Sequence, residues 1–487
     1  MPTINPNIFR AYDIRGIAIA TDKESTTGEP TAESKKPDLT EESVYLIGKA
    51  TATHLHREYK SAHMAVGRDV RTTSPSLQQA FIRGVLECGI NVTDIGLSTS
   101  PMIYFAACTD ETPFDCATNI TASHNPKEYN GIKTVANEAH SICGHELQII
   151  REIADKEDFH QPKKPGQLDQ QNIWHLYSKE LLSKTPKLLK PLKIVVDAGN
   201  GSASPFIAEL LEKIGADVTP LFCEPDGNFP NHEANPEEIK NMQHLIDKVL
   251  ETKADLGIGF DGDGDRIGII DEKGRHYSSD YLLLLLTKDL LKRRKSPQVV
   301  FDVKVSQAII NKMEDMGAIP VMSKTGHSFI EKRMKELKAL LAGEVSGHMF
   351  FAENYYGFDD AFLAAIKIIK ILETENKPFS SLFDDLPKTY ITPEFKAHCP
   401  DNKKFEITAK LAEHFTKLYD CITIDGVRIK FGDLAWGAVR ASNTSPCLTL
   451  RFEAETPEKL SEIQKIMYNE ISKYKEVDTN WYASRLS

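Results

Sequence analysis

Three aspartates alternate with glycines in the segment GFDGDGDR, at Asp261, Asp263 and Asp265. The apolar run LGIGF leads into them, so we expect them in a loop at the end of a buried strand. Carboxylates this close repel one another unless a cation lies between them, and carboxylate oxygens are preferred ligands of hard divalent cations. The spacing therefore predicts a metal site, with a charge-rich β-turn as the alternative.

A serine that follows another apolar-to-polar run is the second candidate. Ser123 lies in TASHNPKEYNGIK, where the Asn-Pro and Asn-Gly pairs are turn signals. Open α/β sheets bind ligands at the carboxyl ends of their strands, which makes this segment a candidate ligand loop, with a Ser-rich turn as the alternative. A Ser–His hydrolase is disfavoured because there is no GxSxG elbow, and because the adjacent Ser123 and His124 are poorly placed to act on each other.

Two later loops carry groups that suit a sugar and a phosphate. In LAGEVSGHMFF, Glu344, Ser346 and His348 alternate, so an extended segment would turn all three to one side; a polar strand face is the alternative. In WGAVRASNTSPC we expect a donor-rich loop between strands. Such a loop suits the binding of a phosphate, and an ordinary turn is the alternative. The polar residues of that loop are Arg440, Ser442, Asn443, Thr444 and Ser445.

The elements that position these loops follow a repeated pattern. Three segments combine a short apolar run, a polar turn and a helical period: MAVGRDVRTTSP, KIVVDAGNGSASP and QVVFDVKVSQ. Strand–turn–helix units of this kind predict parallel sheets covered by helices. Their spacing, over 100 residues, is too long for a solenoid and suits three related α/β domains in tandem.

The expected domain boundaries follow composition. A Pro-rich, weakly apolar stretch, HQPKKPGQLDQQN, is typical of a linker, and DLPKTYITPEF marks a second break before a smaller α+β domain. We therefore predict domains at 1–165, 166–275, 276–386 and 387–487. The polar segment from Thr21 to Asp38 is expected to be a mobile surface loop.

Composition limits the classes of function. The 487 residues carry a formal net charge of −11, a poor basis for nucleic-acid binding. No apolar stretch approaches the roughly 20 residues that span a bilayer, and the start shows no signal peptide, so no membrane partner is expected. Eight scattered cysteines without a CxxC pair predict reduced thiols and a cytoplasmic protein.

With these four loops the chain resembles the α-D-phosphohexomutase family, and within it the bacterial phosphomannomutase/phosphoglucomutase branch. The resemblance extends from FRAYDIRG, which begins at Phe9, to RASNTSP, which begins at Arg440, and the four signatures occur in the family's order. It implies three related α/β domains with mixed, mainly parallel sheets and a smaller α+β C-terminal domain, around a central cleft. GEVSGH resembles the sugar loop of enzymes that accept mannose and glucose phosphates.

The resemblance also implies roles by position. Ser123 matches the family's phosphoserine, and Asp261, Asp263 and Asp265 match its Mg²⁺ ligands, with the serine or its phosphate completing the shell. The other implied residues are catalytic Lys133, His327 and Arg266, and substrate-binding Tyr12, Arg15, Lys304, Glu344, Ser346, His348, Arg440, Ser442, Asn443 and Thr444.

The implied reaction moves a phosphoryl group between O1 and O6 of mannose or glucose through a hexose 1,6-bisphosphate. Glucose 1,6-bisphosphate, or mannose 1,6-bisphosphate, is the implied activator, hexose phosphates are the partners, and we expect a monomer. Attack by a hydroxyl needs a base within hydrogen-bond reach, for which Lys133 and His327 are both candidates. A phosphatase with the same metal loop and a non-catalytic sugar-phosphate sensor are the competing classes.

Overall fold

The computed structural model describes residues 4–20, 36–443 and 445–484. Most of the predicted loop from Thr21 to Asp38, and Thr444, lie outside the described residues. The chain divides into two compact units. Unit 1 comprises Met1–Ser278 and Ser346–Ser381, and unit 2 comprises Ser279–Val345 and Leu382–Ser487.

The first part of unit 1 is a mixed sheet covered by helices. Parallel strands lie in one half of the sheet and antiparallel strands in the other, in the order β1-β5-β4-β2-β3-β7 with β6 beside β5. The strands are β1 (Ile14–Ile17), β2 (His63–Arg68), β3 (Asn91–Leu97), β4 (Cys116–Ile120), β5 (Tyr129–Ala136), β6 (His140–Ser141) and β7 (Leu168–Gln170). The helices are α1 (Glu41–Tyr59), α2 (Ser74–Glu87), α3 (Ser100–Ala106) and α4 (His145–Lys156).

A second mixed sheet of unit 1 carries the aspartate loop. Strand β8 pairs in parallel with β9 and β10, and β10 pairs antiparallel with β11 in the order β12-β11-β10-β8-β9. The elements are α5 (Trp174–Lys184), β8 (Lys193–Asp197), α6 (Ile207–Lys213), β9 (Asp217–Leu221), α7 (Gln243–Thr252), β10 (Leu256–Phe260), β11 (Ile267–Asp271) and β12 (His276–Tyr277).

Unit 2 begins with a third α/β segment, in which β13 pairs in parallel with β14 and with β15. Its elements are α8 (Ser279–Leu291), β13 (Gln298–Asp302), α9 (Gln307–Asp315), β14 (Ile319–Ser323), α10 (His327–Leu337) and β15 (Leu341–Gly343). The leucine run of α8 is buried, because a helix that is apolar on every side belongs in a core. The chain then returns to unit 1 for β16 (Met349–Phe351) and α11 (Ala361–Glu375).

The C-terminal part of unit 2 is an antiparallel sheet in the order β17-β22-β21-β20-β19, with β18 also paired to β22. Its apolar face packs with α12 and α13 around Leu411, Phe452 and Met467. The elements are β17 (Tyr390–Ile391), β18 (Phe395–His398), α12 (Asp401–Thr416), β19 (Cys421–Ile422), β20 (Val427–Lys430), β21 (Trp436–Ala441), β22 (Cys447–Ala454), α13 (Pro457–Ile471) and α14 (Trp481–Ser484). The predicted α+β character of this region is confirmed.

The repeated strand–turn–helix pattern is also confirmed. The three apolar runs form β2, β8 and β13, each of which lies between two parallel neighbours. An aspartate ends or directly follows each strand, at Asp69, Asp197 and Asp302. In the described ranges, every helix is too short or too polar to cross a membrane.

Candidate active site

Ser123 lies on a loop that follows β4, as the sequence predicts. Its backbone φ is +52°, in the left-handed region that residues with a Cβ rarely adopt, and its N–H donates to Thr121 Oγ1 at 3.0 Å. The Ser123 hydroxyl donates to Asp261 Oδ2 at 2.8 Å and lies 3.1 Å from His124 Nδ1. The left-handed turn at Ser123 thus brings the two side chains within hydrogen-bond reach, while the hydroxyl itself donates to Asp261. That Ser123 and His124 are poorly placed to act as nucleophile and base on each other stays a prediction.

The three aspartates meet in the loop between β10 and β11. Asp261, Asp263 and Asp265 are all 0% exposed, and one carboxylate oxygen from each lies within 4.8 Å of the other two. The loop passes very close to the serine loop, because a Cβ on Gly262 would stand 2.4 Å from the carbonyl oxygen of Ser123. Glycine is thus required there for the aspartates to reach the serine.

The charges of this cluster are only partly balanced by the protein. Burial, followed by the neighbouring Asp265 and Asp263, raises the pKa of Asp261 well above its ordinary value. Lys133 Nζ donates to Asp263 Oδ2 and Asp265 Oδ2, both at 2.7 Å. Although burial lowers the pKa of Lys133, these two carboxylates raise it well above its ordinary value.

The donor set fits a hard divalent cation. Within the described residues, Asp263 Oδ1 and Asp265 Oδ1 are buried and have no hydrogen-bond partner. A buried carboxylate oxygen without a partner is costly, and a bound cation would satisfy both oxygens at once. Asp261 and Ser123 Oγ lie beside them and complete a set of oxygen ligands.

The half-buried Arg266 and the buried His348 form a hydrogen-bonded chain next to this cluster. Arg266 Nε donates to His348 Nε2 at 3.0 Å, and His348 Nδ1 lies 2.6 Å from Asp359 Oδ2. Asp265 Oδ1 is 3.6 Å from His348 Nδ1. Both ring nitrogens of His348 therefore have protein partners, an arrangement that orients Arg266.

The N-terminal candidates reach the serine loop through Arg15. Arg15 on β1 is buried, forms an ion pair with Asp13, and donates from Nη1 to Asn125 Oδ1 at 2.7 Å. Tyr12, which lies just before β1, is half-buried. Unit 1 thus brings Arg15, Lys133 and Arg266 to the serine and aspartate loops.

The unit 2 candidates form a second cluster. Lys304 follows β13, and its Nζ lies 2.9 Å from Glu394 Oε2 and 3.8 Å from Asp302 Oδ2. Burial raises the pKa of Asp302 to about 6, although Lys304 opposes this shift. Burial would raise the pKa of Glu394, but the charge and hydrogen bond of Lys304, with Arg440 and Lys396, together lower it.

The predicted sugar loop is a turn rather than an extended segment. Strand β15 ends at Gly343, residues 345–347 bend, and Gly347 has φ +107°, so the expected alternation does not hold. Glu344 Oε1 accepts a hydrogen bond from the N–H of Gly326, directly before His327 at the start of α10. Glu344 lies in unit 2, and Ser346 lies in unit 1.

The predicted phosphate loop connects β21 and β22. Arg440 Nε donates to Asp425 Oδ2 at 2.6 Å, and the same oxygen accepts from the N–H of Thr325 at 3.1 Å. Asn443 Nδ2 donates to the carbonyl of Thr325 at 3.3 Å, and Ser442 Oγ accepts from Ser445 N at 3.1 Å. The loop therefore meets the segment that leads into His327.

Four family models match the chain in the order of these clusters. All four describe phosphoglucomutase/phosphomannomutase: α/β/α domain I at residues 6–161, domain II at 175–274, domain III at 278–390 and the C-terminal domain at 394–470. The chain belongs to the phosphoglucomutase/phosphomannomutase family. The domain boundaries at 165, 275 and 386 stay a prediction.

Relatives within the family match over nearly the whole chain. A phosphomannomutase/phosphoglucomutase of Pseudomonas aeruginosa is 39% identical over 471 residues, which cover 96% of each chain. A phosphoglucomutase of Neisseria gonorrhoeae is 38% identical over 95% of this chain and 96% of its own. A solved phosphoglucomutase/phosphomannomutase family protein of Burkholderia thailandensis has a TM-score of 0.85 and 33% identity, covering 97% of this chain and 98% of its own.

Sequence reasoning missed several residues of this phosphoglucomutase/phosphomannomutase site. Asp359, Glu394 and Asp425 each bind a predicted site residue through its side chain. A further residue, Arg71, binds the serine loop through its carbonyls. The sequence held a usable signal for Arg71. The turn after β2 reads DVR and the turn at the end of β13 reads DVK, so Arg71 occupies the position that corresponds to Lys304.

Proposed function

We propose that this enzyme interconverts hexose 1-phosphates and hexose 6-phosphates, with mannose and glucose phosphates as its substrates. The observation that carries the proposal is the buried Ser123 hydroxyl, which donates to Asp261 within an aspartate cluster where two buried carboxylate oxygens have no hydrogen bond in the part of the chain that the structure describes. A binding protein needs no nucleophile beside such a cluster. The names of the relatives and the matches to four family models support the same activity.

In this proposal Ser123 stores the transferred phosphoryl group as a phosphoester. The group passes from the serine oxygen to one hydroxyl of the sugar phosphate, which gives a hexose 1,6-bisphosphate, and the other phosphate then returns to Ser123. Mg²⁺ held by Asp261, Asp263, Asp265 and the serine or its phosphate would supply charge neutralisation at the transferring oxygens. Arg266, oriented by His348, adds a fixed positive charge beside the cluster.

The sugar hydroxyl must lose a proton as it attacks, and Lys133 and His327 remain the two candidates for the base. Lys133 is anchored on two of the metal-binding aspartates, whereas His327 begins α10. The variants Lys133→Met and His327→Gln separate these roles, since loss of the base removes the ascending limb of the pH–kcat profile.

Recognition of the substrate is assigned to polar loops. Glu344 and Ser346 would bind O3 and O4, hydroxyls that glucose and mannose share, while His348, Lys304, Tyr12 and Arg15 would contribute further contacts. The phosphate that is not being transferred would bind Arg440, Ser442, Asn443 and Thr444. The pairing of Arg440 with Asp425 supports this assignment, because it holds the guanidinium in one orientation before an anion arrives.

We further propose that glucose 1,6-bisphosphate or mannose 1,6-bisphosphate activates the enzyme by phosphorylating Ser123. A cytoplasmic location and a monomeric state complete the proposal, and the cysteine usage of the sequence supports the location.

Two measurements test the function. Intact mass after treatment with glucose 1,6-bisphosphate should rise by one phosphoryl group in the wild type and not in Ser123→Ala. A coupled assay should then convert mannose 1-phosphate and glucose 1-phosphate to the 6-phosphates without net release of phosphate. Persistent labelling of Ser123→Ala would contradict the assignment of the serine, and stoichiometric phosphate release would identify a phosphatase instead.

A further inference from the structure

Arg71 lies outside the set of residues that the family resemblance implies, and its side chain is entirely committed to the serine loop. It lies in the turn after β2 and is 1% exposed. Its Nη2 donates to the carbonyls of Ser123 at 2.8 Å and Asn125 at 2.6 Å. Its Nη1 donates to the carbonyls of Pro126 at 2.6 Å and Tyr129 at 3.0 Å. Four carbonyls of the segment that carries Ser123 are thus held by one guanidinium.

The guanidinium is itself held in place. Arg71 Nε donates to Asp69 Oδ2 at 3.0 Å, and Asp69 Oδ1 accepts from the backbone N–H of Arg71 at 2.9 Å. Asp69 is tied to the end of β4 by its N–H, which donates to the carbonyl of Ile120 at 3.0 Å. Against the other side of the turn lies Gly227, where a Cβ would stand 2.3 Å from the carbonyl oxygen of Val70. With Asp69 on Nε and the four carbonyls on Nη1 and Nη2, all five side-chain N–H donors of Arg71 have partners.

The energetics indicate why an arginine stands there. A buried guanidinium loses its hydration, which lowers the pKa of Arg71, and only a full set of hydrogen bonds offsets that cost. Lysine has three donors around a single point and cannot reach four carbonyls spread over seven residues. The loop needs such a fixture because Ser123 has a left-handed backbone, φ +52°, which is costly for a residue with a Cβ.

We propose that Arg71 is a positioning residue for phosphoryl transfer: it holds the carbonyls of residues 123–129 and thereby aims the Ser123 hydroxyl at Asp261, without touching substrate. The inference rests on the proposed role of Ser123 as the phosphoryl carrier. A displacement of about 1 Å in a reacting group costs roughly 10²-fold in rate, so loosening this loop should act on the transfer step rather than on substrate binding.

The test compares Arg71→Lys and Arg71→Ala with Leu77→Ala. Leu77 is a buried residue of α2 in the core of the same sheet, so its truncation lowers stability without freeing the serine loop. For Arg71→Lys we expect kcat and the rate of Ser123 phosphorylation to fall together by about 10²-fold, with KM within about threefold of the wild type. Leu77→Ala, compared well below its melting temperature, should keep kcat within about threefold.

Chemical rescue gives a readout that a general loss of stability would not produce. Guanidinium chloride at low, non-denaturing concentration should restore at least part of the kcat of Arg71→Ala, while methylammonium chloride at the same concentration should not. Neither salt should change the kcat of Leu77→Ala. Wild-type kcat in Arg71→Lys, or an equal loss of kcat in Leu77→Ala, would overturn the proposal.

Hydrogen exchange separates failure of this inference from failure of the proposed function. In Arg71→Lys the amides of residues 121–131 should exchange faster, whereas those of β2 and β3 should keep wild-type protection. If the wild type never carries phosphate on Ser123, the proposed function fails, and the exchange data still decide whether Arg71 holds the loop. Uniformly faster exchange across the sheet would mean that Arg71 has only a general structural role.

Discussion

Arg71 and Lys304 occupy corresponding turns of two related segments, and the protein uses them in opposite ways. Both lie two residues after an aspartate at the end of a parallel strand, in DVR and DVK. Arg71 directs every donor to oxygens of its own domain, four of them backbone carbonyls. Lys304 instead places its ammonium beside the carboxylates of Glu394 and Asp302. One supersecondary unit thus holds the loop of Ser123 in one case and pairs an ammonium with two carboxylates in the other.

The two turns also differ in what stabilises them. The turn of Lys304 is held from the C-terminal sheet of unit 2: Arg428 Nη1 donates to the carbonyls of Val303 at 2.6 Å and Val305 at 2.8 Å. Arg451 Nη1 donates to the carbonyl of Lys304 itself at 3.0 Å. In unit 1 the turn contributes the arginine that donates the hydrogen bonds, whereas in unit 2 the carbonyls of the turn accept hydrogen bonds from arginines of the C-terminal sheet. The planar fork of a guanidinium suits carbonyls, and the compact ammonium suits a single anionic oxygen.

The largest loss of activity should come from changing the aspartates toward which the Arg71 turn helps to direct Ser123. Asp263→Asn removes a charge from the cation site and should lower kcat by at least about 10³-fold, a loss of several kcal/mol of transition-state stabilisation. Steady-state kinetics with saturating Mg²⁺ measure it, with Asp247→Asn on the exposed face of α7 as the control. Full activity after exhaustive chelation would refute the metal site.

Exchanging the two basic side chains tests the comparison directly. Lys304→Arg retains a cation and should keep kcat/KM within about tenfold of the wild type, whereas Lys304→Met should lower it by roughly 10–10²-fold, the range for a hydrogen bond to a charged group. Arg71→Lys, in contrast, also keeps its charge and should still lose about 10²-fold in kcat. Equal tolerance of lysine and arginine at both positions would remove the distinction.

Glu344→Ala tests a second proposed substrate-binding residue of unit 2. The two sugars differ only at C2, so a contact to O3 or O4 should depress the mannose and glucose reactions together, by about tenfold or more. The wild type should convert both sugar phosphates with specificity constants within about tenfold, or ~1.4 kcal/mol. Glu344→Gln, which keeps an acceptor for the N–H of Gly326, is the matched control. Loss of one reaction alone would place the contact at C2.

The smallest effect should come from the support of the Lys304 turn. Arg428→Lys removes donors to Val303 and Val305 and should lower the free energy of unfolding by about 1–3 kcal/mol, with only a few-fold rise in KM. Denaturant unfolding, compared with Arg57→Lys at the exposed pair with Asp158, measures the difference. For Arg57→Lys we expect a change below about 0.5 kcal/mol. An Arg428→Lys variant as stable as the wild type would show that the hydrogen bonds of Arg428 do not stabilise the turn.

Residues adjacent in the chain were predictable because local geometry joins them. The glycine spacing brings Asp261, Asp263 and Asp265 into one short loop, and the turn residues around Ser123 place it at the end of β4. The repeated strand–turn–helix pattern was visible because a buried parallel strand is a continuous apolar run. The Pro-marked break in DLPKTYITPEF also indicated the smaller α+β region that follows it.

Only the tertiary structure decided which distant groups support these loops. Arg71 meets carbonyls 52 to 58 positions away, and Lys304 meets Glu394, which follows in another part of unit 2. Such pairs depend on how sheets and helices pack, which local propensity does not encode. A turn at residues 345–347, with a backbone φ of +107° at Gly347, likewise replaced the extended segment expected around Ser346. The amino-acid sequence therefore determined the candidate site residues and their order along the chain. Packing decided which distant groups hold each of them, because a buried donor must find its acceptor wherever the fold brings one.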